Sequence, residues 1–201
     1  VLVANGRAAG IHLRSGETIE GSAVILAAPW YAAGALLEGI APLQQGWNTV
    51  GASPIVSVHL WFPEDFMPDE SVGLIGRRAH WVFNRMKFSR EPLPGGHLSV
   101  VISAAVDVVD WTNEALIAQA VADIRSVYPR CPAAASRGVV IREKRATFSL
   151  TPAVEALRPG AITAIPNLFL AGDWTDTGLP ATIEGAVQSG ERCAELVAGA
   201  A

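Results

Sequence analysis

Two apolar runs without alternation constrain this chain most: Ser22-Ala23-Val24-Ile25-Leu26-Ala27-Ala28 and Asn167-Leu168-Phe169-Leu170-Ala171. A strand that is apolar at successive positions is covered on both faces, as strands of a parallel sheet are. The first run ends at Pro29 and the second enters Gly172-Asp173. Ligands of such sheets sit beyond the carboxyl ends of the strands. Both runs are therefore expected to lie in one sheet with both faces covered.

The segments around these runs differ in texture. Asn5-Gly6 and Ser15-Gly16 separate short strand-like stretches, and Asn-Gly is a strong hairpin signal because both residues tolerate positive φ. Trp30–Glu38 reads as a short helix closed by Gly39. From residue 40 to 146 the pattern becomes that of antiparallel strands. Val56, Val58, Leu60 and Phe62 alternate with Ser57, His59 and Trp61, the signature of a half-buried strand. Further strands are expected at 72–76, 80–84, 98–105 and 138–142, with Pro-rich connectors at 63–68 and 92–96. One helix is clear: Thr112 can cap it, Leu116, Ile117, Ala120, Val121, Ile124, Val127 and Tyr128 share a face, and Pro129 stops it. A last helix is expected from about Thr182 to Val197, packing through Ala186 and Gly190. The fold class is thus α/β plus α+β, with residues 1–39 and 147–201 forming one domain that residues 40–146 interrupt.

Composition excludes several functions. Half of the residues are hydrophobic and 17% are charged, which is unlike a disordered tail. A net charge of −4 gives no basic field for nucleic acid. No apolar stretch reads as a spanning helix, because Pro29 and Gly34 interrupt the longest one. Cys131 and Cys193 form neither a disulfide framework nor a CxxC metal pair, and a reducing, cytoplasmic compartment is expected. His12, His59, His80 and His97 are scattered without ligand spacing, so no metal site is expected. Of the six tryptophans, Trp30, Trp47, Trp61, Trp81 and Trp111 read mainly as core. His59 and Trp61 share a strand face that either lines a cavity or meets solvent. Lys144 and Arg145 face either a ligand or carboxylate, or solvent, and Glu184 complements a helix dipole.

Chemistry concentrates in Leu170-Ala171-Gly172-Asp173-Trp174-Thr175 and in Leu179-Pro180-Ala181-Thr182-Ile183-Glu184-Gly185. Gly172 lets a backbone approach a ligand closely, and the Asp173 carboxylate accepts hydrogen bonds from hydroxyls. The first turn of the following helix offers free N–H groups and a positive dipole end. Any one of these residues fits an ordinary strand-to-helix connection, but the whole string does not.

This string resembles the C-terminal flavin motif of the FAD-dependent amine oxidase and carotenoid desaturase superfamily, and is most similar to its squalene-associated, hydroxysqualene dehydroxylase branch. Asn5–Pro29 and Glu143–Phe148 carry further likeness. The resemblance implies the C-terminal half of a Rossmann-like FAD-binding domain, interrupted by an antiparallel-sheet module that binds substrate. Its flavin motif needs the two apolar runs close together, which implies that they pair in parallel as neighbours, with Ala28-Pro29 and Gly172-Asp173 emerging at one edge. It assigns Ala28, Pro29, Gly172, Asp173, Trp174, Pro180, Ala181, Thr182 and Ile183 to the cofactor and identifies no catalytic residue. The superfamily's GxGxxG turn is absent, since Gly6, Gly10 and Gly16 sit in hairpins. A half-site for FAD is therefore expected, with the chain alone binding it weakly and catalysing nothing. The resemblance further implies hydride transfer from reduced flavin to hydroxysqualene, giving squalene in isoprenoid and hopanoid synthesis. Alternatives are a phytoene-type desaturase, an amine oxidase (which would carry an aromatic residue at Thr182) and a truncated lipid-binding module. Expected partners are a long-chain isoprenoid, the inner face of a membrane held peripherally, and a second copy across an unpaired sheet edge.

Overall fold

In the computed structural model, which describes residues 1–41, 43, 46–89 and 94–200, the elements run as follows. The N-terminal strands are β1 (Leu2–Ala4), β2 (Arg7–His12), β3 (Thr18–Glu20) and β4 (Val24–Leu26), followed by helix α1 (Trp30–Leu37). Then come β5 (Ala52–Phe62), β6 (Ser71–Gly73), β7 (Trp81–Asn84), helix α2 (Arg85–Phe88), β8 (Gly96–Ile102) and helix α3 (Asn113–Val127). The chain closes with β9 (Arg137–Phe148), α4 (Pro152–Glu155), β10 (Leu168–Leu170) and α5 (Ile183–Ala200). It divides into two compact units, one of Val1–Gly51 with Thr147–Ala201 and one of Ala52–Ala146.

The first unit holds two small sheets. Strands β1, β2 and β3 form an antiparallel meander, turned at Asn5-Gly6 with φ of 52° and 73°. Strands β4 and β10 pair in parallel, with Val24, Ile25 and Leu26 opposite Leu168, Phe169 and Leu170. This is the pairing expected of the two apolar runs. Their burial differs, however. Every residue of β10 is buried, because Leu168 and Leu170 pack with Leu26, Leu37, Trp47 and Trp174 while Phe169 packs with Ala161, Ala171 and Cys193. The first run forms a strand only over Val24–Leu26, and Ile25 is 42% exposed. Phe169 is covered by Ala161, Ala171 and Cys193, whereas Ile25, its partner in register on β4, joins none of the buried clusters of the described residues.

The second unit is a five-stranded sheet of order β6-β7-β8-β5-β9, antiparallel where β6, β7, β8 and β5 meet. One face carries Val56, Val58, Leu60, Val82, Leu98 and Val100, all buried, and its core includes Leu116, Ala120 and Ile124 of α3. Thr112 caps α3 as expected, its hydroxyl accepting from the Ala115 amide at 3.2 Å. Strand β8 ends at Ile102 and β9 extends to Phe148, so the expected boundaries at 105 and 142 are corrected. The connector at 63–68 is described, whereas Pro92 and Leu93 of the second lie outside the described residues.

Two other expectations change. Trp47 is buried, but Trp30, Trp61 and Trp111 are half-buried and Trp81 is 49% exposed. The rings of Trp61 and Trp81 stand on the second face of the sheet rather than in its core, because side chains alternate across a strand. Val127 falls on the apolar stripe of α3 by spacing, yet it is 45% exposed in the last turn. Ile124→Ala should therefore cost about 2–5 kcal/mol. Val127→Ala should cost about 0.5 kcal/mol or less. Urea unfolding of the two variants gives that contrast directly.

Candidate functional site

The carboxyl ends of β4 and β10 converge as their sequences suggest. The Ala171 amide donates to the Leu26 carbonyl at 3.0 Å, extending the parallel ladder by one bond. Three residues later the Trp174 indole Nε1 donates to the Ala28 carbonyl, also at 3.0 Å. Trp174 thus ties the Ala28-Pro29 turn to the Gly172-Asp173 turn. Its indole is fully buried, 5.5 Å between centroids from Trp47, and its motif position serves the core.

Gly172 adopts φ of +144°, and a Cβ there would lie 2.5 Å from Trp174 Nε1. Only glycine lets the chain fold back over that ring. The Gly172 amide donates to Ser189 Oγ at 2.7 Å, and that hydroxyl donates on to the Ala186 carbonyl at 2.8 Å. Helix α5 is thereby bonded to the turn it follows. Its buried side is Gly185, Ser189 and Cys193, spaced by four, rather than Ala186 and Gly190; Gly190 is exposed. A Cβ on Gly185 would approach the Pro180 carbonyl to 3.1 Å, so the small residue sets how closely the loop lies on the helix.

A buried cation that sequence reasoning missed organises the loop. Arg158, 5% exposed, donates from Nη2 to the Asp173 and Thr175 carbonyls at 3.1 and 2.5 Å. From Nη1 it donates to the Leu179 carbonyl at 2.7 Å and to Glu155 Oε1 at 2.8 Å. Its guanidinium also lies 5.7 Å from the Phe148 ring centroid. An arginine after a short helix carries no sequence signal of this kind, because its acceptors are backbone carbonyls whose identity leaves no trace.

The remaining expected residues line the outer side of this loop. Asp173, Ala28 and Ala181 are half-buried, while Pro29, Pro180, Thr182 and Ile183 are exposed, Ile183 at 87%. Thr182 is the N-cap of α5: its hydroxyl oxygen accepts from the Gly185 amide at 3.1 Å. The Ile183 and Glu184 amides, ahead of it in the same turn, have no partner among the described residues. Glu184 is exposed and accepts from Gln188, in keeping with its dipole role. Burial pushes the Asp173 carboxyl above the usual carboxylate range, against the opposing pull of its own amide, Arg158 and the Trp174 amide. An open glycine backbone, a half-buried carboxyl and unpaired helix N–H groups fit a ligand with both hydroxyls and negative charge.

Elsewhere in the first unit a cavity of about 600 Å³ borders α1, lined in part by Trp30, Leu43 and Trp47. Lys144 is exposed and pairs with the Asp110 carboxylate at 3.3 Å, so the residue meets a carboxylate on a solvated strand. Both cysteines are free and buried. Among the described residues no group of acidic, histidine or cysteine side chains could hold a metal ion. No described helix is long and apolar enough to cross a membrane.

Replacing Arg158 with methionine keeps the apolar stem and removes every donor from three loop carbonyls. Each buried acceptor left without a partner costs about 1–3 kcal/mol, so Arg158→Met should destabilise the chain by at least about 3 kcal/mol. Denaturant unfolding measures this, and limited proteolysis should map the first cleavage to the loop between Asp173 and Leu179.

Comparison with known proteins gives the family. Residues 2–198 match the family described as flavin containing amine oxidoreductase. The hydroxysqualene dehydroxylase of Rhodopseudomonas palustris is 42% identical over 179 residues, covering 89% of this chain and 39% of that protein. The hydroxysqualene dehydroxylase of Sinorhizobium fredii is 37% identical, covering 87% and 38%. The chain thus spans about two fifths of the length of these relatives. Among solved structures, cyclohexylamine oxidase from Brevibacterium oxydans superposes with a TM-score of 0.69 at 13% identity, over 96% of this chain and 46% of that one. With a match over nearly its whole length, the chain belongs to the flavin-containing amine oxidoreductase family.

Proposed function

We propose that this chain forms part of an FAD-dependent oxidoreductase that converts hydroxysqualene to squalene, and that it supplies one side of the cofactor site. The observation that carries the reading is the Gly172–Ile183 loop. Its half-buried carboxyl and the open first turn of α5 lie beyond the carboxyl end of β10, in a chain 42% identical to a hydroxysqualene dehydroxylase. When bound, reduced flavin supplies the hydride that replaces the departing hydroxyl of the substrate.

The chain's own residues then have distinct tasks. Asp173 accepts hydrogen bonds from ribityl or ribose hydroxyls, and the Gly172 backbone lets the cofactor come close. The Ile183 and Glu184 amides face partial negative charge at the end of the helix dipole. Ala28, Pro29, Pro180 and Ala181 give the loop an apolar rim, and Trp174 holds both turns from beneath. Thr182 caps the start of α5 here, and the position lacks the ring that an amine-binding cage would need. The rest of the cofactor contact, including a GxGxxG turn, is supplied by residues other than these 201. The apolar substrate is drawn from a membrane surface to which the enzyme attaches peripherally.

The direct test is an assay of the complete enzyme. It should carry stoichiometric flavin, absorb near ~450 nm as oxidised flavins do, and form squalene from hydroxysqualene under reducing conditions. Turnover of a small primary amine with hydroxysqualene inert would overturn the proposal. The 201-residue chain alone should retain little FAD, which its absorbance after gel filtration reports.

Asp173 gives a sharper expectation. Because its carboxyl is raised, the folded chain holds that proton more tightly than the unfolded chain does. That stabilising contribution is complete at low pH and is lost as pH rises through the raised value. Near pH 7 the ionised group is therefore a burden on the fold. Asp173→Asn should leave stability unchanged or slightly higher at pH 7, and Asp173→Ala should weaken FAD by roughly 1.5–3 kcal/mol. Isothermal titration of the apoenzyme, alongside urea unfolding at pH 5 and pH 7, separates the two effects.

A further inference from the structure

The loop between β10 and α5 also borders a cavity. It measures about 370 Å³, with Leu150, Pro152 and Glu155 on one wall and Gly178, Leu179 and Pro180 on the other. Cavities that hold small molecules run from about 300 to 1,000 Å³ and are lined mainly by apolar groups. Arg158 fixes both walls at once, because its Nη1 donates to Glu155 Oε1 at 2.8 Å and to the Leu179 carbonyl at 2.7 Å. The spacing of the walls is therefore set by a buried cation and does not depend on a ligand.

Most polar groups around this cavity are already used. The Thr151 hydroxyl oxygen accepts from the Val154 amide at 3.2 Å as the cap of α4, and the Thr151 carbonyl accepts from the Glu155 amide at 2.8 Å. The Gly178 and Leu179 amides donate to Asp176 Oδ1 and Thr177 Oγ1, each at 3.3 Å. Pro152 and Pro180 have no N–H, and their carbonyls accept from the Ala156 amide and the Thr182 hydroxyl. Glu155 is the one charged side chain of the lining, and Arg158 balances its charge, which weakens its pull on an ammonium group. What is left for a ligand is apolar surface: Leu150, 51% exposed, with Leu179, Pro152 and Pro180. A polar or cationic ligand would lose water here and find little to replace it, whereas a hydrocarbon is favoured by every contact.

We infer that this cavity binds a branched hydrocarbon segment of the isoprenoid substrate, held between Leu150 and the Leu179-Pro180 wall. The inference rests on the substrate reading above and deepens it by naming a subsite. The location suits that role. Pro180 stands two residues before Thr182, the cap of α5, so the cavity adjoins the turn whose N–H groups face the cofactor in that reading. A volume this small takes a segment of a long isoprenoid and not the whole of it. Apolar contact does not sense a hydroxyl at the far end of a segment, so the subsite holds hydroxysqualene and squalene alike. It selects for branched hydrocarbon against small charged molecules.

The test uses the complete flavin-loaded enzyme and two variants, Leu150→Gln, which makes the exposed wall polar, and Leu150→Trp, which fills the cavity. Binding of radiolabelled hydroxysqualene and squalene in detergent is measured alongside KM, kcat and flavin content. Each variant should weaken both ligands by a similar factor, roughly tenfold for a leucine side chain withdrawn from apolar contact. KM should rise more than kcat falls, and the flavin content should stay unchanged. Unchanged binding of both ligands, or weakening of the alcohol alone, would overturn the inference. Loss of flavin in step with loss of ligand would also overturn it, since the cavity would then belong to the cofactor. So would competition by a small primary amine that Glu155→Gln abolishes, which would make the cavity a cation site. Should Leu150→Trp not fold, Leu150→Gln alone must still weaken both ligands. A parent enzyme that binds squalene through Leu150 but forms none from hydroxysqualene would sustain the subsite and sink the proposed reaction.

Discussion

The loop between β10 and α5 depends on one buried guanidinium. Arg158 reaches three backbone carbonyls, of Asp173, Thr175 and Leu179, that no regular secondary structure pairs. A loop that leaves a strand and enters a helix carries such carbonyls unavoidably, and burying them unpaired would be prohibitive. The planar fork of arginine satisfies several at fixed angles, which a lysine ammonium at the same place does not reproduce. Its charge is balanced by Glu155, which reaches in from α4. The loop therefore holds a defined shape without a strand or helix of its own.

That shape decides what faces outward. Trp174 occupies the interior and anchors both turns, so the side chain with the largest apolar area takes no part in the outer rim. Gly172, Asp173 and the first turn of α5 are left to form that rim. Small residues on α5 work to the same end, since Gly185, Ser189 and Cys193 let the helix lie close on β10 and its following turn. Precision here comes from close packing beneath the loop and from few polar atoms above it, the combination a cofactor-binding rim requires.

Much of this was legible in the residues. The Asn5-Gly6 hairpin and the Thr112 cap are local signals with local causes, and each appears in the structure. The pairing of the two apolar runs is long-range, and it is present as the flavin motif implies. The Gly172-Asp173 string was legible because several rare features coincide within a few positions. Arg158 was not, since its role is created by chain reversal around it and not by neighbours in sequence. The α5 contact was misread at Ala186 and Gly190 because several small residues share that helix and spacing alone does not choose among them. Bulk alone suggests core for Trp30, Trp81 and Trp111, whereas a sheet with one packed face must place alternate rings on the other. The stack of His97 on Trp61 leaves no sequence signal, because it is made across two strands.

The bond from the Ser149 amide to the Gly51 carbonyl, 2.8 Å long, joins the two places where the first unit gives up and recovers the chain. An inserted module whose ends already touch imposes little closure entropy on its host, and the cost grows only slowly with the module's length. The host thus tolerates a large change in what is inserted at this point. Such a seam lets the inserted unit be lengthened, shortened or exchanged while the Arg158 loop stays as it is. It also marks where a graft of another inserted unit would be spliced, with Gly51 and Ser149 kept as the joint.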